Sequence, residues 1–533
     1  MRRKENKIAQ RIILSLIASM VTMSLSAQTA TKRPSLVVGI MVDGLNQEYI
    51  DQLRHLFGAD GFNRILKDAA ILQNVDYGTA LDNAAATALL YSGSAPSVNG
   101  ISSQEIYDSE KKQTYPILLD PSKIGNYTSE TYSPSALLVS TLSDEIRIDG
   151  DGLNQVHAIA PNAIQSILMA GHAANSAFWI NDISGKWATT TYYKDVPTTI
   201  STRNYKTPLS TRLDAIAWTP SLNINSYPDV PDHRRAYPFR YVFNKNEHNR
   251  YRMFKTSACV NSEVTSVATD YISTLSLGNH QGVVDMLNIA YTLTPYQYSR
   301  TPDSRVETMD AYIKLDHNLA QLFSEIERSV GMRNTLVFIA GTPTSNRTRR
   351  DDEKWNIPYG QFSTRRAISL LNMYLMAKHG NGEWVNNIHN NNIFLNHQLI
   401  KTRNIDVVSM RQDAAQFILR MSGVANAYTI DDIISRRAGE NPEAFQRNTN
   451  IKHAGDIIFT ITPGWSIEES NQSTSNNLVV RAATSSAPVF ILAPSVKAQK
   501  ISYPVDARAI APTVARLLRI RSPNSTATTP LQF

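Results

Sequence analysis

The run Leu36-Val37-Val38-Gly39-Ile40-Met41-Val42-Asp43-Gly44 constrains the fold more than any other segment of this chain. A short, unbroken apolar stretch of this kind reads as a strand buried on both faces, which places it in a parallel sheet covered by helices. Its Asp-Gly end delivers a carboxylate to the carboxyl edge of that sheet, where open α/β sheets put their sites.

Strand-like and helical patterns alternate along the chain. The spacing predicts strands at 36–43, 155–160, 176–180, 284–292 and 334–340, with helices around 60–69, 84–93 and 306–330. This alternation predicts an α/β fold with a central, mostly parallel sheet flanked by helices. Two stretches interrupt it. Residues 183–275 are rich in Thr, Tyr, Pro and Asn, and read as a lid or cap inserted into the domain. A second insertion spans about 355–450, after which the sheet is expected to resume at Asp456–Ile461 and Val489–Leu492, with a closing helix at 508–518.

The amino terminus carries Arg2, Arg3, Lys4, Lys7 and Arg11 ahead of a short apolar run that ends in Ser24-Leu25-Ser26-Ala27. Residues 1–27 therefore read as a secretory signal peptide, leaving a mature domain of 28–533 in the periplasm or outside the cell. No later stretch reaches the roughly 20 apolar residues of a membrane span, so no transmembrane anchor is expected. The formal charge of +7 falls to +3 without those 27 residues, too little to argue for nucleic acid. The basic run Arg347–Arg350 is answered by Asp351, Asp352 and Glu353 and reads as a solvated loop. A single cysteine, Cys259, excludes an intramolecular disulfide and a thiolate metal site.

Several segments carry a resemblance: the opening strand, Gly61–Leu66, Tyr91-Ser92-Gly93 with the residues through Ile101, Ser133–Glu145, Gly171–Asn175, Asp310–Asp316 and Leu371–Ala377. In this order and spacing they resemble the alkaline phosphatase superfamily, in its type I phosphodiesterase/nucleotide pyrophosphatase branch, and most of all Flavobacterium-type periplasmic alkaline phosphatases. The resemblance implies that fold over nearly the whole mature chain. It also implies two zinc ions held by Asp and His, which stabilise the attacking and leaving oxygens of an in-line displacement. A Thr or Ser nucleophile is implied at a helix amino terminus, where an anion is favoured.

The residues at those places differ. An ungapped match puts Asn83 at the nucleophile position, where an amide serves as a helix cap but not as an attacking hydroxyl. Thr79 and Thr87 are the nearest hydroxyls. Pro295 and Ser299 stand at one Asp and His ligand pair, Thr342 and Pro343 at another, and Ser486 at the last histidine. Asn162 and Ile164 replace the Lys and Arg that contact the transferred group. Asp43 is the one retained metal-ligand candidate, with a competing structural role in holding its turn through backbone amides. No cofactor is therefore expected. The leading expectation is a pseudo-phosphatase that binds or scaffolds a protein or glycan in the cell envelope. The alternative is a zinc-dependent phosphate-ester or sulfate-ester hydrolase with a rearranged site.

Other features read as structural. His172 falls on a scaffold segment and reads as a satisfied histidine. Asp149-Gly150-Asp151-Gly152 has Leu153 and Ala160 where a calcium loop needs ligands, and reads as a turn. The lid run 237–254 mixes aromatic and basic residues. Packing of the lid's own core is the simpler role for it, while Tyr241, Arg250 and Tyr251 are the candidate binding residues.

Overall fold

The computed structural model describes residues 33–299, 304–343, 358, 360–462, 464–469, 478–481 and 485–533. The signal-peptide segment 1–27, the basic run 347–350 with its acidic neighbours, and the start of the second insertion at 355–357 lie outside the described residues.

Among the described residues, eight strands form the body of an eleven-stranded mixed sheet. They are β1 (Leu36–Asp43), β2 (Ala70–Asp76), β3 (Val156–Ala160), β4 (Ser176–Ile180), β5 (Trp187–Thr190), β6 (Asp285–Thr292), β7 (Thr335–Thr342) and β8 (Ser486–Leu492). Their order across the sheet is β2-β8-β7-β1-β6-β3-β4-β5. β1 pairs in parallel with β6 on one side and with β7 on the other. β8 runs antiparallel to both β7 and β2.

The continuous apolar character of β1 follows from its central place. Val38, Ile40 and Val42 enter one core, whereas Val37 and Met41 enter the other, so alternate side chains serve opposite faces. The first face is covered by α3 (Cys259–Thr274) and α4 (Arg305–Ser329), through residues such as Val264 and Leu319. The second is covered by α1 (Asn83–Ser92) and α2 (Ala163–Ala170), through Leu89 and Leu168. Gly39 is required by this packing. A Cβ there would stand 2.6 Å from both the Phe338 ring and the Tyr91 hydroxyl.

The structure moves three sequence boundaries. The strand Ile457–Ile461 does not rejoin the main sheet; it pairs with Asn392–Leu395 and Val424–Thr429 in a separate four-stranded sheet. The second insertion thus continues past 450, with its own core of Leu371, Leu375, Trp384, Ile418 and Phe459. The first insertion is narrower than 183–275, because β5 belongs to the main sheet and α3 packs on β6. Its aromatic residues Trp218, Phe239 and Tyr241 join the core that also holds β1, so the lid is fused to the domain.

Candidate functional site

Parallel pairing sets Asp43, Thr292 and Thr342 side by side at the ends of β1, β6 and β7. Ser486 starts antiparallel β8 and so arrives at the same edge from the opposite direction. Beyond Asp43 the chain turns at Gly44, whose φ of +83° suits glycine, and where a Cβ would lie 2.9 Å from the Leu293 carbonyl carbon. The turn is held from elsewhere: the Tyr312 hydroxyl donates to the Gly44 carbonyl at 3.0 Å, and the Asn46 side chain caps the next helix by accepting from the Glu48 N–H.

The carboxyl group of Asp43 is consequently released from the backbone role expected of it. Its Oδ1 accepts from Gln165 Nε2 at 2.7 Å and from Thr342 Oγ1 at 3.2 Å. All three side chains are buried. Burial pushes the Asp43 carboxyl up to about 7; the Gln165 and Thr342 bonds pull it back only in part, and the charge of Asp82 adds to the rise. Gln165 was not anticipated from the sequence. A lone amide within the apolar stretch 163–170 was the available signal, because a buried amide needs a polar partner.

At the amino terminus of α1 the cap is Asp82, one residue before the Asn83 expected there. The Asp82 carboxylate accepts from the Ala85 N–H at 2.9 Å and from the Gln104 N–H at 2.6 Å. Desolvation raises its ionisation range, against those backbone bonds. Asn83 is the first helical residue and half-buried. Both neighbouring hydroxyls are engaged. Thr87 Oγ1 donates back to the Asn83 carbonyl at 2.6 Å, and Thr79 Oγ1 accepts from Asn448 at 2.8 Å.

The remaining positions lie on several elements. Ser299 Oγ lies 3.3 Å from the Tyr241 hydroxyl, within the lid network, and Pro295 shares its loop. Thr342 and Pro343 are buried at the end of β7. Asn162 is exposed at the amino end of α2 and makes no capping bond, while Ile164 packs against the second core. Among the described residues, no place brings together three His, Cys, Asp or Glu side chains able to hold a metal ion.

Tyr241, Arg250 and Tyr251 are not displayed for a partner; all three are at most 9% exposed. The Tyr241 hydroxyl donates to Glu307 at 2.6 Å, and Arg250 pairs with Asp214 at 3.0 Å. The Arg250 guanidinium also sits over the Tyr251 ring at 5.2 Å. These residues form the lid's interior, the simpler of the two roles read from the sequence. His172 is likewise structural, with Nδ1 3.2 Å from Asp144 and Nε2 2.9 Å from the Leu137 carbonyl. Gly150 and Gly152 turn the chain after the helix Leu142–Asp149.

The family model described as type I phosphodiesterase / nucleotide pyrophosphatase matches residues 37–485. A Myroides odoratus protein named calcium-transporting ATPase is 25% identical over 98% of each chain. The alkaline phosphatase PafA of Elizabethkingia meningoseptica is 25% identical over 94% of each. The crystal structure of wild-type PafA matches with a TM-score of 0.82 at 23% identity, covering 94% of this chain and 99% of that one. The structural likeness establishes the fold, an alkaline-phosphatase-type α/β sheet with helices on both faces.

Proposed function

Because the chain belongs to the type I phosphodiesterase/nucleotide pyrophosphatase family, we propose that it keeps the scaffold of these phosphate-ester hydrolases without their chemistry, as an exported pseudo-phosphatase that binds or scaffolds a partner in the cell envelope. The observation that carries this reading is the pairing of Asp43 with Gln165 and Thr342. An amide N–H and a hydroxyl O–H present hydrogens to the carboxylate, and the amide nitrogen has no lone pair to offer a cation. A zinc ion needs three or four lone-pair donors of the His, Cys or carboxylate kind. The donor set around Asp43 does not fit that requirement, and Thr342, Pro343 and Ser486 do not supply the difference.

The nucleophile position supports the same reading. Asn83 has no hydroxyl, and the Thr79 and Thr87 hydroxyls already have partners. Export rests on the basic amino terminus and its short apolar run. No described helix is long and apolar enough to cross a membrane.

The competing reading, a metal-dependent phosphate-ester or sulfate-ester hydrolase with a rearranged site, draws on the name of the PafA relative. One experiment separates the two. Purified mature protein is analysed for bound zinc and assayed with phosphomonoester, phosphodiester and sulfate-ester substrates, with and without added zinc. The pseudo-phosphatase reading expects no turnover above that of an unrelated protein. Zinc-dependent turnover that disappears in Asp43→Ala overturns it.

A further inference from the structure

At the flank of the main sheet, beyond β5, the short strand Gly125–Asn126 pairs antiparallel with Thr189 and Thr190. The Thr191 N–H donates to the Ile124 carbonyl, so the pairing continues toward Lys123 and Tyr192. Each end of the segment 123–127 sets a lysine against tyrosine. At one end the Lys123 ammonium lies 5.9 Å from the centre of the Tyr192 ring. At the other, the Lys186 ammonium lies 5.6 Å from the Tyr127 ring and 5.2 Å from the Tyr205 ring, and these two rings meet edge-on at 5.9 Å.

The cluster is fixed from several segments. Tyr127 holds a φ of +64°, a left-handed backbone that a bulky residue rarely adopts and that persists only where the surroundings impose it. Asn181 donates to Thr128 Oγ1 at 2.9 Å, tying the hairpin before Lys186 to the turn after Tyr127. Asn204, beside Tyr205 at the end of the helix Thr198–Tyr205, accepts from the Trp187 N–H at 2.9 Å and donates to the Trp187 carbonyl at 2.8 Å. Tyr205 nevertheless stays 64% exposed, and Ile124, between the two lysine–tyrosine sets, 71%. Charge at this flank is not answered internally as it is elsewhere in the lid, where Lys245 and Arg250 pair with Asp214, and Arg252 and Lys255 with Asp182. Among the described residues, Lys123 and Lys186 have no carboxylate within ion-pair distance. The nearby acids are held by neutral donors: Asp120 accepts from the Ser122 and Ser133 hydroxyls, and Glu130 from Trp179 and Thr128.

We propose that this flank binds a linear acidic polysaccharide, one sugar ring lying on the exposed Tyr205 ring and carboxylates along the polymer meeting Lys186 and Lys123. A tyrosine ring presents a flat apolar face with a polar tip, which suits a pyranose, whose C–H face is apolar and whose rim is hydroxylated. A lysine supplies a positive charge to a carboxylate but not to a neutral sugar. Two such sets at the ends of one extended segment favour a polymer over a single sugar. The inference goes beyond the proposed function and does not depend on it, since the flank is formed by the last strands of the sheet whereas Asp43 ends its central one.

Calorimetric titration of the mature protein with hexagalacturonate, and separately with the neutral maltohexaose, tests this, alongside co-sedimentation with phosphatidylglycerol vesicles. Wild type is expected to bind hexagalacturonate, more weakly as salt is added, and maltohexaose at least about tenfold less tightly. Tyr205→Ala is expected to weaken hexagalacturonate binding by about fivefold or more. Lys186→Gln should weaken it by about threefold and make it less sensitive to salt. Both variants should unfold at nearly the wild-type temperature. Tyr503 is the control, being 64% exposed like Tyr205 but placed between two strands that pair with β2 at the other end of the sheet. Tyr503→Ser is expected to bind as wild type does. The proposal is overturned if wild type binds no hexagalacturonate, if maltohexaose binds as tightly, if the folded Tyr205 and Lys186 variants bind like wild type, or if Tyr503→Ser loses as much. Retention on the vesicles without binding of hexagalacturonate would overturn it in favour of a lipid contact. Ester turnover would remove the proposed function and leave this inference standing, whereas absence of hexagalacturonate binding would remove this inference alone.

Discussion

The side-chain amide of Gln165 donates to Asp43 Oδ1 at 2.7 Å, joining the second helix on one face of the sheet to the end of its central strand. The bond makes Asp43 part of the fold's internal polar accounting. Removing only this donor leaves the buried carboxyl group with the longer bond from Thr342 at 3.2 Å, while replacing both Asp43 and Gln165 with apolar groups removes the need for the Gln165 bond.

Gln165→Ala is therefore expected to lower stability by about 1 kcal/mol, as the loss of one of two hydrogen bonds to a buried carboxyl group does. Asp43→Leu combined with Gln165→Leu should lose less than the sum of the two single changes, because the residues are in direct contact. Urea unfolding of the four proteins of this cycle measures the coupling. Additive losses would mean that the two groups do not depend on each other.

A second prediction concerns the lid. Arg234 and Glu307 form an ion pair at 2.5 Å, with Glu307 fully buried and Arg234 only 6% exposed. Breaking a buried pair leaves one charge without its partner, so Arg234→Ala should cost about 3–5 kcal/mol. Tyr241→Phe, which removes one neutral donor from the same carboxylate, should cost about 1–3 kcal/mol, with the larger value applying because the acceptor is charged. Thermal unfolding checks both. Unchanged stability in Arg234→Ala would show that the lid is not anchored to α4 through this pair.

Periodicity made the sheet legible because burial on both faces leaves an apolar run, and β1, β6 and β7 all carry one. It did not reveal neighbours. Ile457–Ile461 has the same apolar character as a main-sheet strand, yet its partners are Asn392–Leu395 and Val424–Thr429. Ala70–Asp76 lacks such a signal because Gln73 and Asn74 interrupt its pattern, where its pairing with β8 shifts register. At the site, the places of Asn83, Thr342 and Ser486 could be read from the segments around them. The substitutes for the missing partners could not. Gln165 meets Asp43 across 122 residues, and the position of the cap at Asp82 depends on where the helix begins.

A third prediction follows from His157 at the opposite edge of the sheet. It is 2% exposed, with Nδ1 2.8 Å from Ser176 Oγ and Nε2 3.1 Å from Gln155 Oε1, and its ring meets Tyr271 edge-on. Burial pushes the imidazole down to about 4 from 6.5; Asp195 opposes the shift, while Arg147 and His280 reinforce it. Between those values the unfolded chain binds a proton that the folded chain refuses. Stability must therefore fall as pH drops through the window from 6.5 to about 4, by about 3 kcal/mol at most. His157→Gln should flatten that part of the stability profile, measured by chemical unfolding at a series of pH values. An unchanged profile would assign the acid sensitivity to other groups.

The last prediction asks whether one residue separates this chain from catalysis. Asn83→Thr places a hydroxyl at the nucleophile position, at the start of a helix already capped by Asp82. A hydroxyl there still has to be activated, and the developing charge on the transferred group still has to be stabilised. Asn162 and Ile164 offer no positive charge for that purpose, and Asp43 remains bonded to Gln165 and Thr342. Asn83→Thr should consequently show no gain in the hydrolysis of an aryl phosphate, with or without added zinc, while unfolding at nearly the wild-type temperature. A clear zinc-dependent rate in this single variant would mean that the chemistry was lost at the nucleophile alone and that the metal sites persist.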